Sequence, residues 1–131
     1  MDHIDLIPSE EGHARARAGD FLVVEAGEGI VRIPAAPILE IMNPSPPTLL
    51  PGAPPEVLGV VNYRGTPAPV VDLSRALEVG AVGPKHRVVV LRWKGRTIAL
   101  AVEDVLSLTD SAESGAPVLA LDTLLGSIFQ A

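Results

Sequence analysis

Three histidines, His3, His13 and His86, are the first candidates for proton transfer or metal binding, and no two stand at ligand spacing such as i, i+4. A solvated or strand-edge imidazole accounts for each of them. Glu103 and Asp104 are adjacent carboxylates after an apolar run that reads as a strand. Neighbours on a strand point to opposite faces, so this pair cannot straddle one substrate as acid and base. Asp72 and Arg75 imitate a catalytic pair, but a helix N-cap with a surface ion pair explains both. No serine occupies a Gly-x-Ser-x-Gly elbow, and the glycines form neither of the common phosphate-binding loops. The chain has no cysteine, which excludes a disulfide framework, a thiolate zinc site and a cysteine nucleophile. No catalytic residue, metal or cofactor is therefore expected, and recognition is the chemistry that remains.

Composition agrees with a small binding protein. A chain of 131 residues suits one domain with a real core, and 47% hydrophobic with 3% aromatic residues makes that core mostly Val, Leu, Ile and Ala. Ten basic and sixteen acidic residues give a net charge of −6, the wrong sign for a nucleic-acid or anionic-membrane partner. The longest apolar stretches, such as residues 98–102, are far too short to cross a bilayer. Residues 1–20 are polar and mixed in charge, with no apolar core of a signal peptide, and are expected to be a loose leader before a domain over 21–131. A cytoplasmic location is expected.

The elements that must position any site are short. Phe21-Leu-Val-Val24, a glycine-bearing turn and Ile30-Val-Arg-Ile33 predict a hairpin. Pro37 and the apolar residues to Met42 suit one or two helical turns. Residues 43–55 carry six prolines and predict an ordered loop wrapped on the domain. Two strand-like runs flank Tyr63-Arg64-Gly65; in the second, Pro67 and Pro69 stand two apart, so both missing amides fall on one strand edge. Asp72 is placed to cap a helix over 73–78, closed by Gly80. Residues 87–92 and 97–102 are strands with the apolar character of burial on both faces, and 118–129 has helical spacing with a start that also suits a strand. Many short strands separated by turns predict an all-β barrel or sandwich.

One segment stands out, Gly59-Val-Val-Asn-Tyr-Arg-Gly-Thr-Pro-Ala-Pro-Val-Val-Asp-Leu73. Gly65 permits a sharp turn at positive φ, which holds Arg64 at a hairpin tip where its planar guanidinium can donate to a partner's carbonyls or carboxylates. It can equally brace its own loop, with Asn62 satisfying the turn backbone, and the residues alone do not choose.

With its flanks, this segment resembles the CheW-like domain family: an apolar strand, Asn-x-Arg-Gly, then a strand ending Pro-x-x-Asp-Leu. The first hairpin, Ile38-Leu-Glu-Ile41, the strand pair at 87–102 and Val105-Leu-Ser-Leu108 follow in the family's order, so the resemblance spans about 21–108. It implies two small SH3-like β-barrels packed together, with short helices in the connections. It also implies a non-catalytic adaptor that joins the regulatory domain of the histidine kinase CheA to the cytoplasmic tip of methyl-accepting chemoreceptors. Receptor-facing positions implied by the resemblance are Ile38, Glu40, Asn62, Arg64 and Gly65, with Ile38 as an exposed apolar anchor; the kinase-facing surface is implied to be apolar and on the first barrel.

Two departures qualify this. The connection over 109–117 is short for the family, which puts the completeness of the second barrel in question and suggests an open edge for self-association. The proline-rich loop over 43–55 stiffens a region near the expected receptor surface. A shortened scaffold that binds only the kinase or another barrel is the first rival, and a small-ligand β-barrel protein is the second.

Overall fold

Continuous apolar runs dictate the centre of the fold. In the computed structural model the described residues are 19–110 and 115–129, with the backbone of two short strands before them. In chain order the strands are β1 (His3–Asp5), β2 (Arg15–Arg17), β3 (Phe21–Ala26), β4 (Gly29–Pro34), β5 (Ile38–Met42), β6 (Val57–Tyr63), β7 (Thr66–Asp72), β8 (Arg87–Trp93), β9 (Arg96–Val102) and β10 (Asp104–Thr109). Two helices, α1 (Leu73–Ala76) and α2 (Leu121–Phe129), complete it.

The central strands β8 and β9 are buried on both faces, as their sequence predicts. Val89, Leu91, Trp93, Ile98, Leu100 and Val102 enter the main core, while Val88, Val90, Ala99 and Ala101 enter a second, smaller one. The period-2 alternation of a strand sorts them. These strands lie inside a five-stranded sheet of order β5-β8-β9-β7-β6. A three-stranded sheet, β10-β3-β4, packs Leu22, Val24 and Ile33 against the main core, and α2 adds Leu125 and Ile128. Each fully buried Leu or Ile here stabilises the fold by about 1.5–3 kcal/mol relative to exposure.

Both sheets are open rather than closed barrels, and the fold is all-β as expected. One sheet has five strands and the other three, the smaller joining the first hairpin to β10. Past the short connection, Arg32 and Val118 form a parallel bridge along β4: Arg32 N–H donates to Pro117 O at 2.8 Å and Leu119 N–H to Arg32 O at 2.7 Å. The chain then turns into α2, so the segment at 118–129 begins as a bridge and continues as a helix. On the other edge, β10 carries a bulge at Leu106, and the Asp104 carboxylate accepts the Val105 N–H at 2.8 Å. Bulges and edge charges blunt strand addition along such an edge.

The expected helical turns at 37–42 are a strand instead. Ile38, Ile41 and Met42 find a ladder with β8, where Ile38 faces Leu91 and Met42 faces Val88, and that pairing outweighs a helix too short to sustain itself. The proline-rich segment is ordered as expected: Thr48 and Val60 exchange two backbone hydrogen bonds of 2.8 Å. Gly59 makes this approach possible, with φ of 147° and no room for a Cβ, which would stand 2.9 Å from the Pro47 Cβ. Pro67 and Pro69 pair with β6, in the part of β7 that β9 does not reach; β9 pairs only from Val70 onward. Within the segment expected to be a leader, β1 and β2 pair antiparallel. Residues 6–14, with His13, and 111–114 in the short connection lie outside the described residues.

Candidate functional site

The hairpin joining β6 to β7 turns on two residues, Arg64 at φ 49° and Gly65 at φ 85°. Two positive φ values define a type I′ turn, whose twist matches the flanking strands. The Asn62 side chain completes it, Oδ1 accepting the Gly65 N–H at 2.7 Å. Asn62 and Gly65 therefore shape the loop, and the Arg64 side chain projects from it.

Across from this tip stands Glu40 of β5. In the order β5-β8-β9-β7-β6 these strands are the two opposite edges, and the sheet curls enough for their side chains to reach each other while the backbone stays open. Side chains join that seam. Glu40 Oε1 accepts both the Tyr63 hydroxyl and Arg64 Nη2, each at 3.0 Å. Arg64 also lies over the Tyr63 ring, 5.5 Å from its centroid. The Arg64 side chain is 75% exposed and that of Glu40 only 19%, so the carboxylate is anchored and the guanidinium is presented. An ion pair this exposed adds at most about 1 kcal/mol to stability, and its larger effect is to fix the direction of Arg64. The Tyr63 phenol is held above its ordinary pKa by partial burial, reinforced by the hydrogen bond to Glu40 and its charge and opposed by Arg64. It therefore remains a proton donor to Glu40 throughout the physiological range.

Of the five positions expected at a receptor-facing surface, four come together here: Glu40, Asn62, Arg64 and Gly65. Ile38 does not. Its side chain is fully buried in the main core, because the bulge between Ile38 and Glu40 sends the two to different sides of the sheet. The expected exposed anchor is corrected accordingly. Tyr63 was not among the expected positions, although it touches both charged members of the cluster. Its only signal in sequence is an aromatic at the open position of Asn-x-Arg-Gly, which strand-tip packing explains as readily.

Of the residues first weighed for chemistry, Asp72, Glu103 and His86 make structural contacts. Asp72 is 1% exposed and caps α1, Oδ1 accepting from Arg75 N at 3.2 Å and Oδ2 from Val82 N at 3.1 Å. Glu103 Oε1 accepts the Gly83 N–H at 2.7 Å, and His86 Nδ1 contacts Gly83 O at 2.7 Å. Among the described residues no group of His, Asp and Glu could hold a metal ion, and no helix is long and apolar enough to cross a membrane. A groove of about 290 Å³ beside α2 is lined by Val31, Leu77, Pro117, Val118, Leu119 and Leu124, without the converging polar groups a small-ligand site needs. Ile30 of β4 and Val118, which lines the groove, are 46% and 45% exposed.

Two packed β-sheets with a charged cluster at a hairpin tip define an all-β domain. The chain belongs to the CheW-like domain family, whose model matches residues 20–119. It is 38% identical over 90 residues to the chemotaxis protein CheW of Rhizobium meliloti (strain 1021), covering 65% of this chain and 58% of that protein. It is 33% identical over 91 residues to protein FrzA of Myxococcus xanthus, covering 68% of this chain and 57% of that one. The chain thus matches under three fifths of the length of these curated relatives. Among solved structures, the scaffolding protein TtCheW from Thermoanaerobacter tengcongensis superposes with a TM-score of 0.64 at 23% identity, over 68% of this chain and 62% of that one, which shows the shared fold.

Proposed function

We propose that this chain is a non-catalytic adaptor that couples methyl-accepting chemoreceptors to a CheA-type histidine kinase. The observation that carries the reading is the presented guanidinium of Arg64, aimed by Glu40 from the opposite sheet edge. A fixed cation with donors left over suits the carboxylates and carbonyls of a receptor helical tip. The kinase regulatory domain would meet the apolar surface of the three-stranded sheet around Ile30 and Val118. Two separated surfaces of different character are what a coupling protein needs. The membrane is reached only through the receptor, and the working location is cytoplasmic.

The test is titration of the purified chain with each partner separately. Binding to both supports coupling, and binding to neither removes the function. Kinase binding alone would favour a second reading, a scaffold without receptor contact, which the burial of Ile38 and the short three-stranded sheet favour.

A further inference from the structure

Tyr63 fills the open position of the Asn-x-Arg-Gly motif, and its side chain makes two distinct contacts in the receptor-facing cluster. The hydroxyl donates to Glu40 Oε1 at 3.0 Å, and the ring lies 5.5 Å beneath the Arg64 guanidinium carbon. Glu40 in turn accepts from Arg64 with that same oxygen. One carboxylate oxygen therefore serves two donors on neighbouring residues, and the ring supplies the floor on which the second of them rests.

We propose that Tyr63 is a positioning residue for receptor recognition, fixing the Glu40 carboxylate from one side and the Arg64 guanidinium from below so that Arg64 is presented in one orientation. This rests on the coupling function proposed above. A half-buried carboxylate bound to Arg64 alone could swing with that long side chain. Bound also to a phenol seated against the smaller core, it cannot. Arg64 then has fewer orientations to lose on binding, and preorganisation of this kind raises affinity without a new contact.

A set of variants in the full chain separates the two contacts. Tyr63→Phe keeps the ring and removes the donor, and receptor-tip affinity is expected to fall about threefold. Tyr63→Leu removes both, and a fall of about tenfold is expected. Kinase-domain affinity should not change in either. On an Arg64→Ala background, Tyr63→Phe should cost nothing further, because its effect passes through Arg64. A Tyr63→Phe loss of the same size on that background would overturn the inference, as would wild-type affinity in both Tyr63 variants while Arg64→Ala weakens binding. If Arg64→Ala itself binds the receptor tip like wild type, the coupling reading fails first. A partner-free measurement decides the positioning alone: NMR relaxation of the Arg64 Nε–H should report restricted motion in wild type and release in Tyr63→Leu. Equal mobility in the two overturns the inference whatever the receptor does.

Discussion

The indole of Trp93 donates from Nε1 to Asp122 Oδ1 at 2.8 Å, tying the tip of the β8–β9 hairpin to the first turn of α2. The turn beyond it, Lys94 at φ 50° and Gly95 at φ 76°, has the same form as the Arg64-Gly65 turn, and Lys94 lies 5.1 Å from the Trp93 ring. In both hairpins an aromatic closes β-structure with its polar atom on a carboxylate from a distant element, and a cation rests over the ring. Trp93 is the chain's single tryptophan and is 5% exposed, so its fluorescence reads this contact directly.

Asp122→Ala should leave that buried N–H unpartnered and destabilise the protein by about 1–3 kcal/mol. Thermal melting should fall by several degrees, with a shift in tryptophan emission before unfolding. Unchanged melting would mean that α2 is not anchored through Trp93.

The distribution of what could be read from the sequence follows from the range of the interactions. The strands at 87–92 and 97–102, the sharp turn at Gly65 and the Asp72 cap depend on local composition or spacing and are legible. The strand at 38–42 is not, because only its pairing with β8, some fifty residues away in the chain, selects it over a helical turn. The same is true of the site. Asn62, Arg64 and Gly65 lie together in sequence, whereas the meeting of Glu40 with Tyr63 depends on the curl of a sheet whose edge strands are not neighbours in the ladder. The surface position of Ile38 is implied by the resemblance alone; a bulge between Ile38 and Glu40 changes which side faces the core, and no local pattern announces it.

Helix α1 ends in a Schellman arrangement, Val79 N–H donating to Ser74 O at 2.9 Å and Glu78 N–H to Arg75 O at 3.0 Å. The left-handed position is Glu78, at φ 60°, rather than the glycine two residues later. A non-glycine residue there costs about 1 kcal/mol. Glu78→Gly should therefore raise the melting temperature by a few degrees, while Gly80→Ala, at φ 133°, should lower it.

Gly59→Ala should be far more damaging. The added Cβ meets both Pro47 and the Thr48 carbonyl, and the positive φ adds strain. A loss of about 2 kcal/mol or more is expected in denaturant unfolding. Hydrogen exchange at Thr48 and Val60 should accelerate with it, because their paired bonds hold the proline-rich segment on β6.

Tyr63 makes stability depend on alkaline pH. Its pKa is raised above the ordinary value of 10.0, chiefly by burial and then by Glu40. The folded state thus holds the phenolic proton more tightly than the unfolded one. Its contribution is complete below pH 10.0 and is lost as pH rises through the folded value. Melting curves of wild type and Tyr63→Phe should run parallel below that pH, with the wild type falling faster above it. Parallel curves throughout would remove the phenol from the linkage.

Coupling itself is tested most directly by co-sedimentation of the kinase regulatory domain with assemblies of the receptor tip. The kinase domain should pellet only when this chain is added, and Arg64→Glu, which sets a negative charge beside Glu40, should leave it in the supernatant while the variant still binds the kinase domain in solution. Kinase that stays in the supernatant with the wild-type chain present, although the chain is folded, would contradict the account.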